Sequence, residues 1–99
     1  MALIVLLDLR LEPDAVFCAP AVLRDILAGP RAFDGCLGVE VLVDAEDPAH
    51  LILMERWASA EADADAEYRE WRTVAGATEL GSLLVSGARV AHVTTASDI

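Results

Sequence analysis

Residues 51–72 constrain the fold of this chain more than any other stretch. Residues 51–57 are mostly apolar, are too few for an independent helix and end on Trp57. Ser59 follows as a good N-cap for an Ala- and acid-rich helix, on which Tyr68 and Trp71 share one face because they are three positions apart. The pattern predicts a strand that leads directly into a helix, with both Trp rings and the only Tyr ring converging on one cavity.

The length and composition predict one domain, residues 1–99, and a partner subunit. A chain of 99 residues buries roughly two-thirds of the surface that it exposes when unfolded. Apolar residues make up 56% of the sequence, above the roughly 45–50% of an average soluble chain. Since a small core cannot hold this surplus, we expect a second subunit to cover part of it.

The charge and the apolar pattern argue against several classes of partner. The formal net charge is −10, which repels the phosphates of nucleic acids and anionic membrane surfaces. No run approaches the ~20 apolar residues that span a bilayer, and the apolar residues 2–7 lack a basic flank and precede Asp8. We therefore expect a cytoplasmic protein. Cys18 and Cys36 lack metal-ligand spacing and are interpreted as small buried thiols, with a disulfide or redox role as the alternative.

The first half of the chain predicts a strand, a helix and a second strand. Residues 3–7 are apolar at odd and even positions alike, which predicts a strand covered on both faces. Asp14 is a plausible N-cap for a helix that reaches Ala28, and Gly29-Pro30 is expected to end it. Pro20 either kinks this helix or marks a second start. Residues 36–43 alternate like a strand, in which Gly38 suggests a bulge or a close backbone approach.

The second half predicts a hairpin, a helix and a last strand. Turn residues at 44–48 connect the second strand to the antiparallel strand 51–57. The second helix spans residues 59–74, and its run of acidic residues is interpreted as a solvated outer face. A last strand is expected at residues 89–94.

This β-α-β-β-α-β order is the pattern of the ferredoxin-like fold, an α+β fold in which a four-stranded antiparallel sheet carries both helices on one face. The helices leave the other face of the sheet open. Because the first strand is apolar on both faces, we expect a second subunit to cover the open face, sheet against sheet, in a homodimer.

Three short motifs on this framework resemble the antibiotic biosynthesis monooxygenase family. They are Phe33-Asp34-Gly35-Cys36-Leu37-Gly38, Glu55-x-Trp57-x-Ser59-x-Glu61-Ala62 and Tyr68-x-x-Trp71-Arg72. The resemblance extends over residues 2–94. It implies a dimer and the oxidation of phenols or quinols by molecular oxygen without flavin, haem or metal, while a second branch of the family degrades haem.

The chemistry implied by the resemblance makes definite demands on the site. An aromatic small-molecule substrate must be held as its anion, so that it can pass an electron to oxygen, in a dry pocket with a proton acceptor. Trp57, Tyr68 and Trp71 would stack on a planar substrate, and Arg72 would bind its phenolate or a carboxylate. Large rings at helical spacing are equally typical of core packing, and pocket walls are also core.

The chain departs from the family pattern at several positions. Phenol-oxidising members have an Asn at the position of Leu53 and, in some, a Tyr at that of Asp63. Many quinol-oxidising members have a His where this chain has Ala66 and Glu67. Haem-degrading members use a His at the position of Gly81, so the axial ligand for haem degradation is lacking here.

His92 in the last strand is the first candidate for the base, because an imidazole titrates near neutrality. A lone His in a strand is also typical of a structural residue. The alternatives are Asp63, His50, which is expected to be solvated, and Glu55, which is expected to form an ion pair near the sheet edge. We predict catalytic roles for His92, Trp71 and Tyr68, and substrate contacts from Trp57, Leu53 and Arg72.

Three functions follow from these patterns. The first is a cofactor-independent monooxygenase, and the second is a non-catalytic dimeric module that binds a small molecule or serves a structural role on the same fold. The third is a lyase or isomerase that needs only a general base such as His92. No GxGxxG, P-loop, HExxH or GxSxG motif occurs, which leaves nucleotide, zinc-protease and serine-hydrolase chemistry without support.

Overall fold

The computed structural model describes residues 2–63 and 80–99. Within these ranges, four strands form one antiparallel sheet in the order β2-β3-β1-β4. A 3-10 turn, Pro13–Ala15, precedes helix α1, Ala19–Arg31, and residues 60–63 and 80–81 are also helical. The predicted α+β, ferredoxin-like fold is confirmed, since β3 lies between β1 and β2 and runs antiparallel to both. The strands are β1, Leu3–Arg10, β2, Cys36–Asp44, β3, Asp47–Trp57, and β4, Arg89–Val93.

The two faces of the sheet differ in burial. On β1, Val5, Leu7 and Leu9 are buried in the core with the apolar side chains of α1. Their neighbours Ile4 and Leu6 point to the opposite face, which we call the open face, and are half-buried there. The predicted first strand is therefore confirmed and its core face is covered, while a cover over its open face stays a prediction.

The start of the first helix differs from the prediction at Asp14. The chain first makes the 3-10 turn, and α1 then begins after Cys18, which caps the helix without a side-chain hydrogen bond. Pro20 lies in the first turn of α1, where a missing N–H leaves no intrahelical bond unmade. Of the two interpretations of Pro20, a second start is therefore correct.

The end of α1 also differs from the prediction, because Gly29-Pro30 does not stop the helix. The helix continues to Arg31, and the N–H of Ala32 donates to the carbonyl oxygens of Ala28 and Gly29. Pro30 is one of the most completely buried residues of the described chain. Burial of its ring against the core offsets the single backbone hydrogen bond that it cannot donate.

The β2-β3 hairpin agrees with the prediction, including the bulge. Asp44 pairs with Asp47 across a two-residue turn, and the register shifts between Cys36 and Gly38. Leu37, at this shift, leaves the apolar alternation of the strand and is exposed. β3 begins at Asp47, four residues before the predicted strand.

The second helix begins as predicted, since Ser59 Oγ accepts a hydrogen bond from the N–H of Ala62 at 3.1 Å. The interpretation of its acidic run as a solvated face holds for Glu61 but is wrong for Asp63, which is buried. Residues 64–79, and with them the predicted aromatic face of this helix, lie outside the described residues.

Both Cys residues carry free thiols, and the predicted burial is wrong for Cys18, which is exposed. Cys36 is half-buried. Among residues 2–63 and 80–99, none of the helices has the length and apolar character needed to cross a membrane.

Candidate active site

Trp57 and Glu55 form a buried polar contact on the helix-covered face of the sheet. Neither residue has exposed surface, and Trp57 Nε1 donates a hydrogen bond to Glu55 Oε1 at 3.1 Å. The predicted position of Glu55 near a sheet edge is wrong, because β3 is an interior strand. The period-two alternation of Leu51, Leu53, Glu55 and Trp57 was the sequence signal that could have placed Glu55 inside.

The loop between α1 and β2 packs against Trp57. The rings of Phe33 and Trp57 meet edge to face, with centroids 6.2 Å apart and planes at 70°. Gly35 lies two residues further, at a φ of +89°, and its carbonyl oxygen accepts a hydrogen bond from the N–H of Ala58 at 2.8 Å. The loop and the start of the second helix therefore close over the indole.

An open cleft of about 780 Å³ lies next to the Phe33–Trp57 contact, between residues 32–35 and 58–62. It is lined by Phe33, Asp34 and Ser59, among others, and Trp57 lies beneath it without lining it. The cleft is thus large enough for a small aromatic molecule, for which pockets typically measure roughly 300–1,000 Å³.

His92 lies on the same face of the sheet as Glu55, on strand β4. Its Nε2 is 3.4 Å from Asp63 Oδ2, at the start of the second helix. The His92 side chain is 48% exposed, whereas that of Asp63 is only 5% exposed. The imidazole therefore reaches solvent on one side and a buried carboxyl group on the other, an arrangement that orients a His for proton transfer.

The register places these two polar pairs in one row across the sheet. Val5 of β1 pairs with Glu55 on one side and with His92 on the other. Since neighbouring strands are about 4.8 Å apart, the two backbone positions are separated by about 10 Å. The row therefore carries two ionisable side chains, Glu55 and His92. Glu55 lies next to Trp57, and His92 lies next to Asp63.

The other predicted site residues divide into two groups. Leu53 has no exposed surface and lies on the helix-covered face, two residues before Glu55. Tyr68, Trp71 and Arg72 lie outside the described residues. The shared cavity of the three rings stays a prediction.

His50 differs most from its predicted state, because it is not simply solvated. On the open face, its Nδ1 lies 2.9 Å from Asp44 Oδ2 and its Nε2 lies 3.0 Å from Asp8 Oδ1, and its side chain is only 13% exposed. Hydrogen bonds with Asp44 first and Asp8 second raise the pKa of His50 above its ordinary value of 6.5. Asp8 is 42 positions away in sequence, so only the strand register reveals the contact.

Within residues 2–63 and 80–99, no three His, Cys, Asp or Glu side chains are arranged to hold a metal ion. Asp8, Asp44 and His50 form a hydrogen-bonded group instead.

Solved structures provide close matches to the fold. A variant of SnoaB, a cofactor-independent oxygenase from Streptomyces nogalater, matches with a TM-score of 0.85 and 14% identity, over 97% of this chain and 94% of that chain. Rv0793 from Mycobacterium tuberculosis matches with a TM-score of 0.81 and 23% identity, over 96% and 95% of the two chains. A solved antibiotic biosynthesis monooxygenase matches with a TM-score of 0.80 and 19% identity, over 94% and 97%.

Sequence comparison identifies the family. No curated protein sequence matches the chain at a significant level. The family model for antibiotic biosynthesis monooxygenases matches residues 2–74, which is about three quarters of the chain and includes β1, α1, β2, β3 and the Glu55–Trp57 pair. With this match and the fold in agreement, the chain belongs to the antibiotic biosynthesis monooxygenase (ABM) family.

Proposed function

We propose that this protein is a cofactor-independent monooxygenase that oxidises a phenolic or quinol-type aromatic small molecule with molecular oxygen. One observation carries the proposal. Two polar pairs, Glu55 with Trp57 and His92 with Asp63, lie in one row on the helix-covered face of the sheet in a chain of the ABM family, and Phe33, which contacts Trp57, lines an open cleft.

In the proposed reaction, His92 removes the phenolic proton, and the resulting anion transfers one electron to O2. Combination of the substrate radical with superoxide forms a C–O bond at a ring carbon that carries hydrogen, and loss of water from the hydroperoxide leaves a carbonyl group. The substrate loses two hydrogen atoms and gains one oxygen atom, while the second oxygen atom leaves as water. Because the substrate itself supplies the electrons that reduce O2, the reaction needs no other reductant.

The remaining residues have positioning and binding roles in this proposal. Trp57, fixed by its bond to Glu55, supports Phe33 at the cleft from within the core, where Leu53 is also buried. Tyr68 and Trp71 stack on the substrate ring or donate a hydrogen bond to the developing oxyanion. Arg72 binds the phenolate.

The test is oxygen consumption by purified, metal-free protein with simple phenols, hydroquinones and polycyclic phenols, followed by mass spectrometry of the product formed under labelled oxygen. His92→Ala is expected to lower turnover at least about tenfold, since general-base catalysis typically contributes about 10²–10⁴. Asp63→Asn is expected to shift the pH profile, because it changes the group beside Nε2.

His50→Ala is the matched control, because it removes the only other His of the chain and lies on the open face. Turnover unchanged in His50→Ala but reduced in His92→Ala supports the proposal. No turnover with any phenol, or an equal loss in both variants, contradicts it. Turnover without incorporation of labelled oxygen points to the lyase or isomerase instead.

We also propose that the active form is a cytoplasmic homodimer in which two open faces pack together. Support comes from the apolar side chains of Ile4, Leu6, Ile52 and Met54, which are half-buried on that face of the isolated chain. The net charge of −10 makes nucleic acid and anionic membrane poor partners.

A non-catalytic binding or structural module is the second candidate function. It is favoured by the complete burial of Leu53 and Trp57, which fill space between the sheet and the helices as core residues do. A phenol that binds stoichiometrically to the protein without oxygen uptake would identify this function.

A further inference from the structure

A second concave site lies at the other end of the sheet, between α1 and the β2-β3 hairpin. It is a groove of about 460 Å³, which is within the roughly 300–1,000 Å³ of small-molecule pockets. Leu51, at its base, is six residues from Trp57 along β3, or about 20 Å at roughly 3.4 Å per residue. The groove lies on the same helix-covered face as the Glu55–Trp57 pair, and it extends along α1 to Arg31, whose neighbour Ala32 lines the cleft.

The walls of this groove are aliphatic. The ten apolar residues that line it are Leu, Val, Ala and Pro, including Leu23 and Leu27 from α1 and Val41 and Val43 from β2. Among the residues that the structure describes, no aromatic ring lines it, so a planar aromatic ligand finds no stacking partner from them. A flexible alkyl chain fits such walls better, because its burial needs only non-directional apolar contact.

The charge of the groove is opposite to that of the protein. The chain has 17 acidic and 7 basic residues, yet among residues 2–63 and 80–99 the only charged side chains that line the groove are Arg24 and Arg31. These residues are seven positions apart on α1 and therefore lie along the same side of the helix. An anionic group entering the groove thus meets two guanidinium groups and no lining carboxylate from the described part of the chain.

The surroundings of each guanidinium leave donors available. Arg31 Nη2 donates to the carbonyl oxygen of Val39 at 3.0 Å, which holds the guanidinium beside β2 while its other N–H groups remain for a carboxylate. No carboxylate of residues 2–63 or 80–99 lies within ion-pair distance of Arg24. Both residues can therefore form charge-assisted hydrogen bonds with an incoming anion.

We propose that this groove binds a medium-chain fatty acid, with the alkyl chain along the aliphatic walls and the carboxylate on Arg24 and Arg31. Neither the aliphatic walls nor the two Arg residues alone explain the site. An aliphatic groove without Arg would bind neutral lipids equally well. The site does not depend on the proposed oxygenase activity, because none of the residues that line the groove is assigned a role in that reaction.

Isothermal titration calorimetry with sodium decanoate, below its micelle concentration, tests the proposal. We expect saturable binding of one decanoate per chain, with decanol binding at least about tenfold more weakly because it lacks the charge that Arg recognises. The double variant Arg24→Ala/Arg31→Ala is expected to lose at least about tenfold in affinity for decanoate. Arg56→Ala, which removes one positive charge from the open face, is the control and is expected to retain it.

Val43→Trp provides an independent test, because Val43 is 60% exposed and a larger side chain there fills the groove without entering the core. We expect this variant to keep its circular dichroism spectrum and to lose decanoate binding. The proposal is wrong if the wild-type protein shows no saturable binding or if decanol binds as tightly as decanoate. It is also wrong if either the double Arg variant or Val43→Trp binds decanoate like the wild type.

Discussion

At the scale of single residues, the contact between Glu55 and Trp57 governs how the buried side of β3 is organised. A carboxyl group without exposed surface needs hydrogen-bond donors, and the indole N–H of Trp57 supplies one at 3.1 Å. Trp57 thus contributes both apolar area and a specific donor, which an aliphatic residue in its place would not provide.

Trp57→Phe is expected to lower the free energy of unfolding by about 1–3 kcal/mol from the lost hydrogen bond, in addition to the effect of the smaller ring. Glu55→Leu combined with Trp57→Phe removes the hydrogen-bond acceptor as well. A double-mutant cycle from urea unfolding should give a coupling energy of about 0.5–3 kcal/mol. Strictly additive effects would contradict a specific Glu55–Trp57 interaction.

The hydrogen-bonded group around His50 makes stability depend on pH. Because Asp44 and Asp8 raise the pKa of His50, its stabilising contribution is full below pH 6.5 and is lost as the pH rises through the raised pKa. Hydrogen bonds from His50 first and from the N–H of Glu46 second lower the pKa of Asp44 below 3.8. Its contribution is present above pH 3.8 and is lost as the pH falls through the lowered pKa.

Urea unfolding on both sides of pH 6.5 tests this expectation. The wild-type protein should lose stability relative to His50→Gln as the pH rises above 6.5, because Gln keeps much of the size but not the titration. Parallel pH profiles for the two proteins would show that the contacts of His50 with Asp8 and Asp44 do not contribute to folding.

The sequence predicted local features of single residues better than contacts between distant ones. The N-cap at Ser59 depends on residues within one helical turn, and it was correct. The environments of His50 and Glu55 depend on which residues lie opposite them in neighbouring strands, and both were wrong. Asp63 was misplaced because an acidic run on a helix indicates solvent unless a partner such as His92 is known.

At the scale of elements, the loop before β2 and the start of the second helix are held in close contact at Gly35. A Cβ at this position would lie 2.6 Å from the Cβ of Ala62, and its φ of +89° disfavours any other residue. The approach of these two segments encloses Trp57, so Gly35 contributes to the shape of the candidate site.

Gly35→Ala is expected to destabilise the protein by about 1–3 kcal/mol, because both the steric overlap and the backbone conformation oppose a side chain. Gly29→Ala is the matched control, since Gly29 lies inside α1 with nothing within 4 Å of an added Cβ. It should stabilise the protein by about 0.5–1 kcal/mol. Thermal unfolding measures both, and equal effects would contradict this account.

Helix boundaries were harder to predict than the order of elements. The β-α-β-β-α-β order follows from alternation and turn residues, which are repeated signals. The predicted end of α1 depended only on Gly29-Pro30. In the structure, the burial of the Pro30 ring outweighs the local preference of these residues to stop the helix. Tertiary packing of this kind cannot be read from residues 29 and 30 themselves.

At the scale of the whole molecule, the open face of the sheet is the surface through which we propose that two copies associate. Leu6 pairs with Met54, and Ile52 pairs with Leu42, so apolar side chains continue across three strands. Two such faces can bury one another, as in packed sheets that lie about 10 Å apart.

Leu6→Lys is expected to weaken the proposed dimer at least about tenfold, because it places a charge in the apolar centre of the interface. Val85→Lys is the control, since Val85 is exposed and lies outside the sheet. Sedimentation over a range of concentrations, with circular dichroism to verify folding, measures the effect. An unchanged dimer in Leu6→Lys would place the interface elsewhere.

The bulge at Gly38 also limits the ways in which copies of this chain can join. β2 is an outer strand of the described sheet, and the register shift between Cys36 and Gly38 interrupts its regular series of backbone donors and acceptors. A strand from another molecule cannot continue the hydrogen-bonded ladder along this border without a break. Open-ended association of chains through β2 is thereby disfavoured. A closed oligomer remains the favourable way to bury apolar surface.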